Sequence, residues 1–392
     1  MKHIMRTISL AFMLGSVTAC TQVELCDESI HPHLAHLTFD YDWLNAPNAK
    51  PDTMIVLMSR VINTKHYSFR LLKDGTFVTE KEDPAVPPVD PVIPPVTPPV
   101  AASQPHSRAK EESTLVKGLK VSNGEYYILT ISQPSSTMSI DSLETFKKSD
   151  AISFKDMYLR IKRFKKAIDI PVMEGKEWIG EQYNPNYPYV SDTEPIYREM
   201  KKNEHIYSGA QLMFHFLPMP LTQNIKVQFT LQADPSVQIT SVLAELSGIA
   251  SSASLMTGYV KKKNLTRMIF KPIPISTSAE GVLYQGSINV LGLFRNENQG
   301  VVYNGDGIIY LVVRAEAKGV KKTFCARINL FDTIGKAKLL SGTENGEWKL
   351  EVREAILRIE QKLVIKEKQM EPDANDSGID AWYDLYNIDI DV

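Results

Sequence analysis

The sequence predicts a mainly β protein with two antiparallel β-sandwich domains behind a lipoprotein signal peptide. Short segments that alternate apolar and polar residues recur along the chain between polar turns, a pattern typical of half-buried strands. Seven such segments follow one another between residues 212 and 330, and about seven strands are typical of a single sandwich. The 392 residues suffice for two domains of ordinary size, and a hydrophobic content of 43% can supply their cores.

The N-terminal residues have the composition of a signal peptide. Lys2 and Arg6 give the start of the chain a positive charge, and residues 8–17 form an apolar stretch. As a helix this stretch would reach about 15 Å, half of the roughly 30 Å hydrocarbon core of a bilayer. It is therefore too short to span a membrane, and it predicts a cleaved signal peptide over residues 1–19.

A cysteine closes this leader. The segment Val17-Thr18-Ala19-Cys20 resembles a bacterial lipobox, in which the cysteine thiol takes a diacylglyceryl group and becomes the first residue of the mature protein. Cys20 is therefore the predicted lipidation site, and residues 20–33 are the predicted lipidated tether. The alternative is an ordinary secretory signal that ends in a cysteine by chance.

Residues 34–204 are predicted to form an N-terminal β-sandwich domain. In the first strand, Leu37, Phe39 and Tyr41 share one side, and Asp40 lies on the other. The expected elements are strands at residues 36–43, 53–61, 66–72 and 120–132 and a short helix within residues 192–202.

A proline-rich insertion interrupts this domain at residues 77–113. Eight prolines lie between Pro84 and Pro99; they cannot donate ladder hydrogen bonds and they favour polyproline II. The segment is interpreted as a stiff, solvated spacer, with a ligand for a proline-binding module as the alternative. Because a strand-like run follows at residues 120–132, the first domain is expected to resume after the insertion.

Residues 205–392 are predicted to form a C-terminal β-sandwich domain. The small residues 246–255 predict a flexible connection that can lie tightly against a sheet. Residues 348–367 suit either a helix or a strand, because Trp348, Leu350 and Val352 alternate while the apolar residues beyond them follow helical spacing. The expected strands lie at residues 212–217, 225–231, 237–246, 265–270, 282–293, 308–317 and 323–330.

The C-terminal tail is acidic but carries apolar residues in alternation. Residues 371–392 contain seven acidic residues and no basic one, a composition typical of disorder. The alternation instead favours a terminal strand that pairs with an open sheet edge of the second sandwich. Its phase changes between Leu385 and Ile388, which predicts a bulge there. The candidate strand-pairing residues are Trp382, Leu385, Ile388 and Ile390.

No catalytic constellation is present in the sequence. It has no Gly-x-Ser-x-Gly elbow, no phosphate-binding glycine-rich loop and no His-Glu-x-x-His motif. We therefore expect no catalytic residues, no cofactor and no metal site. His31, His33 and His36 are interpreted as a polar lead-in, with a metal site as the weaker alternative. The net charge of −2 predicts no nucleic-acid partner.

The cysteines give little covalent support to the fold. Three are present, and acylation of Cys20 would leave only Cys26 and Cys325. A disulfide between these two is compatible with an exported protein, and so are two reduced thiols. The fold is therefore expected to be stabilised by its apolar cores.

Several segments resemble fimbrillin-like lipoproteins of the Bacteroidales. These are the lipobox, the strand at residues 37–43, the turn with proline that follows it, and the strand at residues 54–58. The segment Ala244–Gly258 resembles the family's strand that runs through a Ser-Gly pair and small residues to Thr-Gly. The acidic, aromatic C-terminal strand also fits, whereas the proline-rich insertion is not a feature of the family.

The resemblance implies two tandem transthyretin-like β-sandwiches that serve in cell-surface pili or their membrane-bound base. Polymerising pilins of this type lose an N-terminal segment and accept a neighbour's strand, whereas anchor subunits keep their lipid. The chain is thus expected to be a non-catalytic fimbrial anchor or accessory subunit, lipid-anchored in the outer membrane and surface-exposed. Other fimbrial subunits and host or bacterial surface ligands are its expected partners. The alternative is a surface lipoprotein that binds a glycan or peptide through its sandwich loops without polymerising.

Changing Cys20→Ser should release the protein from membranes or leave its precursor uncleaved. Each buried methylene of an acyl chain contributes on the order of 0.8 kcal/mol, so several chains hold a protein almost permanently. Membrane fractionation with mass determination of the N-terminus measures the effect, and Cys26→Ser is the matched control. A processed Cys20→Ser variant that still fractionates with membranes would disprove the lipobox.

Overall fold

The computed structural model describes residues 34–47, 51–62, 64–79, 114–149, 151–164, 188–300, 305–371, 385–387 and 389–391. Cys20, Cys26, Trp382 and Ile388 lie outside the described residues, as do the prolines of the insertion. What the sequence predicts for them stays a prediction. The helices within the described ranges lack the length and apolar character that crossing a membrane requires.

Strands dominate the first half of the described chain. The first seven are β1 (Leu34–Tyr41), β2 (Thr53–Arg60), β3 (His66–Leu72), β4 (Thr76–Thr79), β5 (Thr114–Lys117), β6 (Leu119–Ser122) and β7 (Gly124–Ser132). After them come β8 (Met138–Ile140), helix α1 (Leu143–Lys148), a 3₁₀ turn (Phe154–Asp156), β9 (Tyr158–Ile161), β10 (Arg163–Phe164) and β11 (Tyr189–Val190). This half ends with β12 (Tyr197–Ile206), β13 (Gln211–Phe216) and β14 (Met219–Pro220).

The second half contains longer strands and one more helix. Its first part comprises β15 (Gln223–Ala233), β16 (Gln238–Ile249), β17 (Ser252–Ser254), β18 (Val260–Lys261), β19 (Thr266–Phe270), β20 (Ile273–Ser278), β21 (Gly281–Val290), β22 (Ile308–Ala317) and β23 (Val320–Asn329). Its second part comprises α2 (Phe331–Ala337), β24 (Leu340–Gly342), β25 (Glu347–Leu350), β26 (Glu354–Arg358), β27 (Lys362–Ile365), a 3₁₀ turn (Glu367–Met370), β28 (Leu385–Asn387) and β29 (Asp389–Asp391).

The first sandwich packs a large sheet against a small one. The large sheet has the strand order β14-β12-β7-β2-β3-β4-β5, and the small sheet has the order β13-β1-β6. Buried apolar side chains from both sheets form its core, among them Leu37, Val56, Ile128 and Phe216. Strands β4 and β5 pair with each other, so the chain leaves for the proline-rich insertion and returns within one sheet. Phe77, predicted in the insertion, lies in β4 and is buried.

Strands β12 and β13 correct two predictions from the sequence. The short helix expected within residues 192–202 is wrong, because from Tyr197 the chain forms β12 and pairs with β7. The strand expected to open the second domain, β13, instead runs parallel to β1, with His36 opposite Gln211. The first sandwich therefore extends beyond the predicted boundary at residue 204. Both segments take their structure from pairing with strands that are distant in the sequence, and local residue patterns do not reveal such partners.

The second sandwich contains two further large sheets. One has the order β10-β11-β19-β16-β22-β23-β28; the other has the order β20-β21-β15-β27-β29, with β26 also paired to β15. The alternation in β15 predicts its burial well, since Ile225, Val227, Phe229 and Leu231 all face the core. The expected strands from residue 225 onward are confirmed.

Two further segments of the second half are strands. The flexible connection predicted at residues 246–255 is wrong for most of its length, because residues 246–249 continue β16 and residues 252–254 form β17. Residues 347–365 form β25, β26 and β27, so the strand alternative for this stretch is correct. Both stretches pair with strands distant in sequence: β16 with β19 and β22, and β26 with β15.

A fifth sheet links the two halves of the chain. Its order is β24-β25-β18-β17-β9-β8, and Leu159 of β9 lies opposite Ala253 of β17. One apolar cluster accordingly joins Leu57 and Leu129 of the first sandwich to Leu159 and to the second sandwich. The two sandwiches share this core.

Leu159→Ala should destabilise both sandwiches together. Leu159 is fully buried, and truncating such a leucine costs about 2–5 kcal/mol of unfolding free energy. Denaturant unfolding should show one transition at lower denaturant. Ile356→Ala on β26 is the control, because that side chain is 58% exposed and its loss should cost less than about 0.5 kcal/mol. Two separate transitions, only one of them shifted, would contradict a shared core.

Candidate functional site

The C-terminal segment pairs with both main sheets of the second sandwich. Strand β28 runs parallel to β23, with Leu385 opposite Thr323. Strand β29 runs antiparallel to β27, with Ile390 opposite Leu363. Each of these short strands becomes the outermost strand of its sheet. Residues 385–387 therefore occupy an edge of one sheet, and residues 389–391 an edge of the other.

The sequence predicted one terminal strand on one edge, and the structure has two strands on two sheets. The backbone of Leu385 lies in β28 and that of Ile390 in β29. The bulge was predicted between Leu385 and Ile388, and Ile388 lies outside the described residues, so that prediction is untested. Trp382 and Ile388 lie outside the described residues, so the pairing role assigned to these four side chains stays a prediction.

The chain that leads into the tail is fastened to the second sandwich. The backbone N–H of Glu367 donates to the Asp234 carboxylate at 2.7 Å, and Met370 is buried. The Lys318 ammonium lies 2.6 Å from the Glu367 carboxylate, and its hydrogen bond lowers the pKa of that carboxyl group. The Lys322 ammonium donates to the Glu371 carbonyl at 2.6 Å. These contacts hold residues 367–371 against the second sandwich.

The opposite edge of the β15 sheet is exposed and irregular. All residues of β20 are exposed, including Ile273 and Ile275 at 57% and 45%. Its register to β21 shifts between Pro274 and Ser276, and a proline cannot donate to a further strand. A bulge and a proline both discourage edge-to-edge pairing. This edge is therefore poorly suited to accept another chain.

A more regular edge lies on the first sandwich. Strand β13 borders the small sheet and pairs with β1 alone among the described strands. Its register to β1 is continuous over six residue pairs, and Met213 on its outer face is 60% exposed. An uninterrupted edge beside an exposed apolar side chain is the kind of surface on which another strand can add.

Two arginines lie at the junction of the sandwiches, a feature that the sequence did not indicate. Arg198 of β12 donates to the Met256 carbonyl at 3.1 Å and so links the first sandwich to a turn of the second. Burial, together with the nearby Arg353 guanidinium, lowers the pKa of Arg198 to about 10. Both arginines remain charged at neutral pH, and the two positive charges repel each other at the junction.

The described residues form a cleft in the second sandwich. Its volume is about 840 Å³. It lies between α2, the β24–β25 hairpin and residues 293–297, and Trp348 forms part of its wall. In the sequence, Trp348 stands out only as part of a strand-like alternation. The cleft itself is not predicted, because the elements that complete it are distant in the chain.

Of the three cysteines, Cys325 alone lies among the described residues. It lies half-buried on β23, opposite Val312. Cys26 is outside the described residues, so a pairing of the two cysteines remains untested.

Comparison with known proteins gives matches to structures alone. No protein-family model and no curated protein matches the sequence. The fold is similar to a proposed adhesin from Bacteroides ovatus, with 10% identity over 95% of this chain and 98% of that one and a TM-score of 0.44. It is similar to proposed polysaccharide binding proteins from Bacteroides thetaiotaomicron, with 14% identity over 85% and 92% of the two chains and a TM-score of 0.39.

The fimbrial anchor protein Mfa2 from Porphyromonas gingivalis is also among the similar structures. Its identity is 12% over 85% of this chain and 90% of that one, with a TM-score of 0.36.

A chain that ends at Met370 should be less stable and prone to aggregate. The truncation exposes β23 and β27 as sheet edges and removes their hydrogen bonds, each worth about 0.5–1.5 kcal/mol, so we expect a loss of about 2–4 kcal/mol. Thermal melting with light scattering measures both effects. A stable monomer that no longer assembles would show that the terminal strand is donated to a neighbour. Unchanged stability with unchanged assembly would show that the terminal segment pairs with no sheet edge.

Proposed function

We propose that this protein is a lipid-anchored fimbrial component of the cell surface, an anchor or accessory subunit for pilus assembly and adhesion that catalyses no reaction. The observation that carries the proposal is the pairing of β28 and β29 with the second sandwich of their own chain. A subunit that fills its own sheet edges needs no strand from a neighbour there. It is therefore suited to the end of a filament.

The leader supports the same position. A lipid on Cys20 would hold the mature chain on the outer membrane, and several acyl chains hold a protein far more firmly than one does. The tether precedes β1, so the anchor would be joined directly to the first sandwich. A subunit fixed at its N-terminus is expected to offer only one face to the growing filament.

The edge of β13 is the described surface best suited to contact another fimbrial subunit. It is regular, it carries the exposed Met213, and it belongs to the sandwich nearest the anchor. Strand addition there would extend the small sheet of the first sandwich. The opposite edge of the second sandwich, at β20, is interrupted by Pro274 and a shifted register.

A second candidate function is that of a surface lipoprotein that binds a ligand and does not polymerise. The cleft beside Trp348 favours it, since a cavity of about 840 Å³ lies within the usual range of ligand sites, roughly 300–1,000 Å³. The two functions are compatible in one molecule, because the cleft and the β13 edge belong to different sandwiches.

The test of the first function is the composition and attachment of filaments on native cells. Mass spectrometry of sheared, purified filaments should detect this protein at a low ratio to the main subunit. Cells carrying Cys20→Ser should shed filaments into the medium, while cells carrying Cys325→Ser should retain them. Absence of the protein from filaments, together with normal filament retention by Cys20→Ser cells, would leave the non-polymerising function.

A further inference from the structure

We propose that the cleft between α2 and the β24–β25 hairpin binds an uncharged oligosaccharide by stacking a sugar ring on Trp348. This inference goes beyond the fimbrial role and does not depend on it. It rests on the shape of the cleft, on the way Trp348 is held, and on the balance of charge around the rim.

The floor of the cleft is apolar and fixed. It is built from the buried side chains of Leu293, Phe294, Ile334 and Leu339. The close approach of β16 places Phe294: its backbone N–H donates to the Gly248 carbonyl at 2.9 Å. A Cβ at Gly248 would lie 2.5 Å from the Phe294 carbonyl oxygen, and φ there is +86°. Only glycine permits this contact without displacement, so the position of the floor is set by the backbone.

Trp348 stands as a partly exposed wall above this floor. Its ring meets Phe294 edge-to-face, with centroids 5.5 Å apart and planes at 87°. Across the hairpin it lies opposite Gly342, where a Cβ would be in ordinary contact with the ring at 3.7 Å. The contact with Phe294 holds the indole in place, and a fixed aromatic plane costs a ligand little entropy to contact.

The rim is polar, and most of its charges are already countered within the chain. The Lys262 ammonium lies 2.8 Å from Glu297 and 3.7 Å from Asp306. The Glu351 carboxylate accepts from the Ser341 hydroxyl at 2.6 Å and from the Lys349 ammonium at 3.3 Å. A charged ligand would have to compete with these pairs.

The remaining cations favour the same conclusion. The Arg295 guanidinium lies 4.6 Å from the centroid of the Phe331 ring, a cation–π arrangement that occupies that ring face. Lys338 is an exposed lysine at the edge of the cleft, where a single point charge gives little selectivity. The cleft thus combines the partly exposed ring of Trp348 with a polar rim whose charges are mostly countered within the chain.

A sugar matches this combination better than a peptide does. A pyranose ring offers a C–H face to an aromatic plane and hydroxyl groups to a polar rim. A bound peptide strand would need a continuous backbone edge, and the edge strand at the cleft, β24, has only three residues. Peptide binding is therefore an outcome that the test must separate from sugar binding.

The experiment titrates the purified full chain with soluble hexasaccharides of β-1,4-glucose, α-1,4-glucose and β-1,4-mannose. Binding is measured by calorimetry and by tryptophan fluorescence at low and high salt. We expect saturable binding of at least one of them, independent of salt, with Trp348→Ala weakening it by at least about tenfold. Trp348→Phe keeps an aromatic wall and should retain intermediate affinity, which separates loss of the site from loss of the fold.

Two matched controls complete the design. Trp43 also meets an aromatic ring edge-on, Tyr197 at 5.6 Å, but it lies in the first sandwich, so Trp43→Phe should leave binding unchanged. Lys336→Ala should also leave it unchanged, because this exposed lysine of α2 is not among the residues that line the cleft. The proposal is overturned if none of the three sugars binds at millimolar concentration. It is equally overturned if Trp348→Ala binds as the unmodified chain does, or if an apolar decapeptide binds the cleft in their place.

Discussion

The pairing of β9 with β17 is the contact on which the arrangement of this molecule depends. It joins a strand of the first half of the chain to a strand of the second half within one sheet, with Leu159 opposite Ala253. One buried cluster then runs from Leu57 of the first sandwich into the second. Interfaces between independent domains are usually more polar than this. The apolar continuity therefore fixes the two sandwiches relative to each other, and with them the cleft and the covered edges.

Unpaired sheet edges are the main hazard of a fold built from strands, and this chain covers two of them with its own terminus. An uncovered β23 or β27 would offer a row of backbone donors and acceptors to any passing chain. Strands β28 and β29 remove that opportunity at both sheets. The β20 edge is guarded differently, by Pro274 and a shifted register. The β13 edge has neither a proline nor a shifted register, so it is open to pairing with another chain.

Strand periodicity predicted much of the fold, and long-range pairing accounts for what it missed. The alternation in β15 gave both its position and its buried face, because side chains of a strand point to opposite sides in turn. The pattern of β13 was equally clear, yet it could not reveal that its partner is β1. The sequence did not predict the cleft either, because the elements that form it are distant along the chain. Phe294 lies in the floor of the cleft, where its backbone N–H donates to the Gly248 carbonyl. Trp348 belongs to a hairpin some fifty residues later in the sequence.

The placement of these features suggests how anchoring and binding can coexist. The predicted tether, residues 20–33, can extend at most about 50 Å, and it enters the molecule at β1 of the first sandwich. The cleft and the covered edges belong to the second sandwich, so the membrane does not have to compete with a ligand for the same strands. Because the shared core holds the two sandwiches together, a ligand bound beside Trp348 would stay at a set position relative to the anchored end.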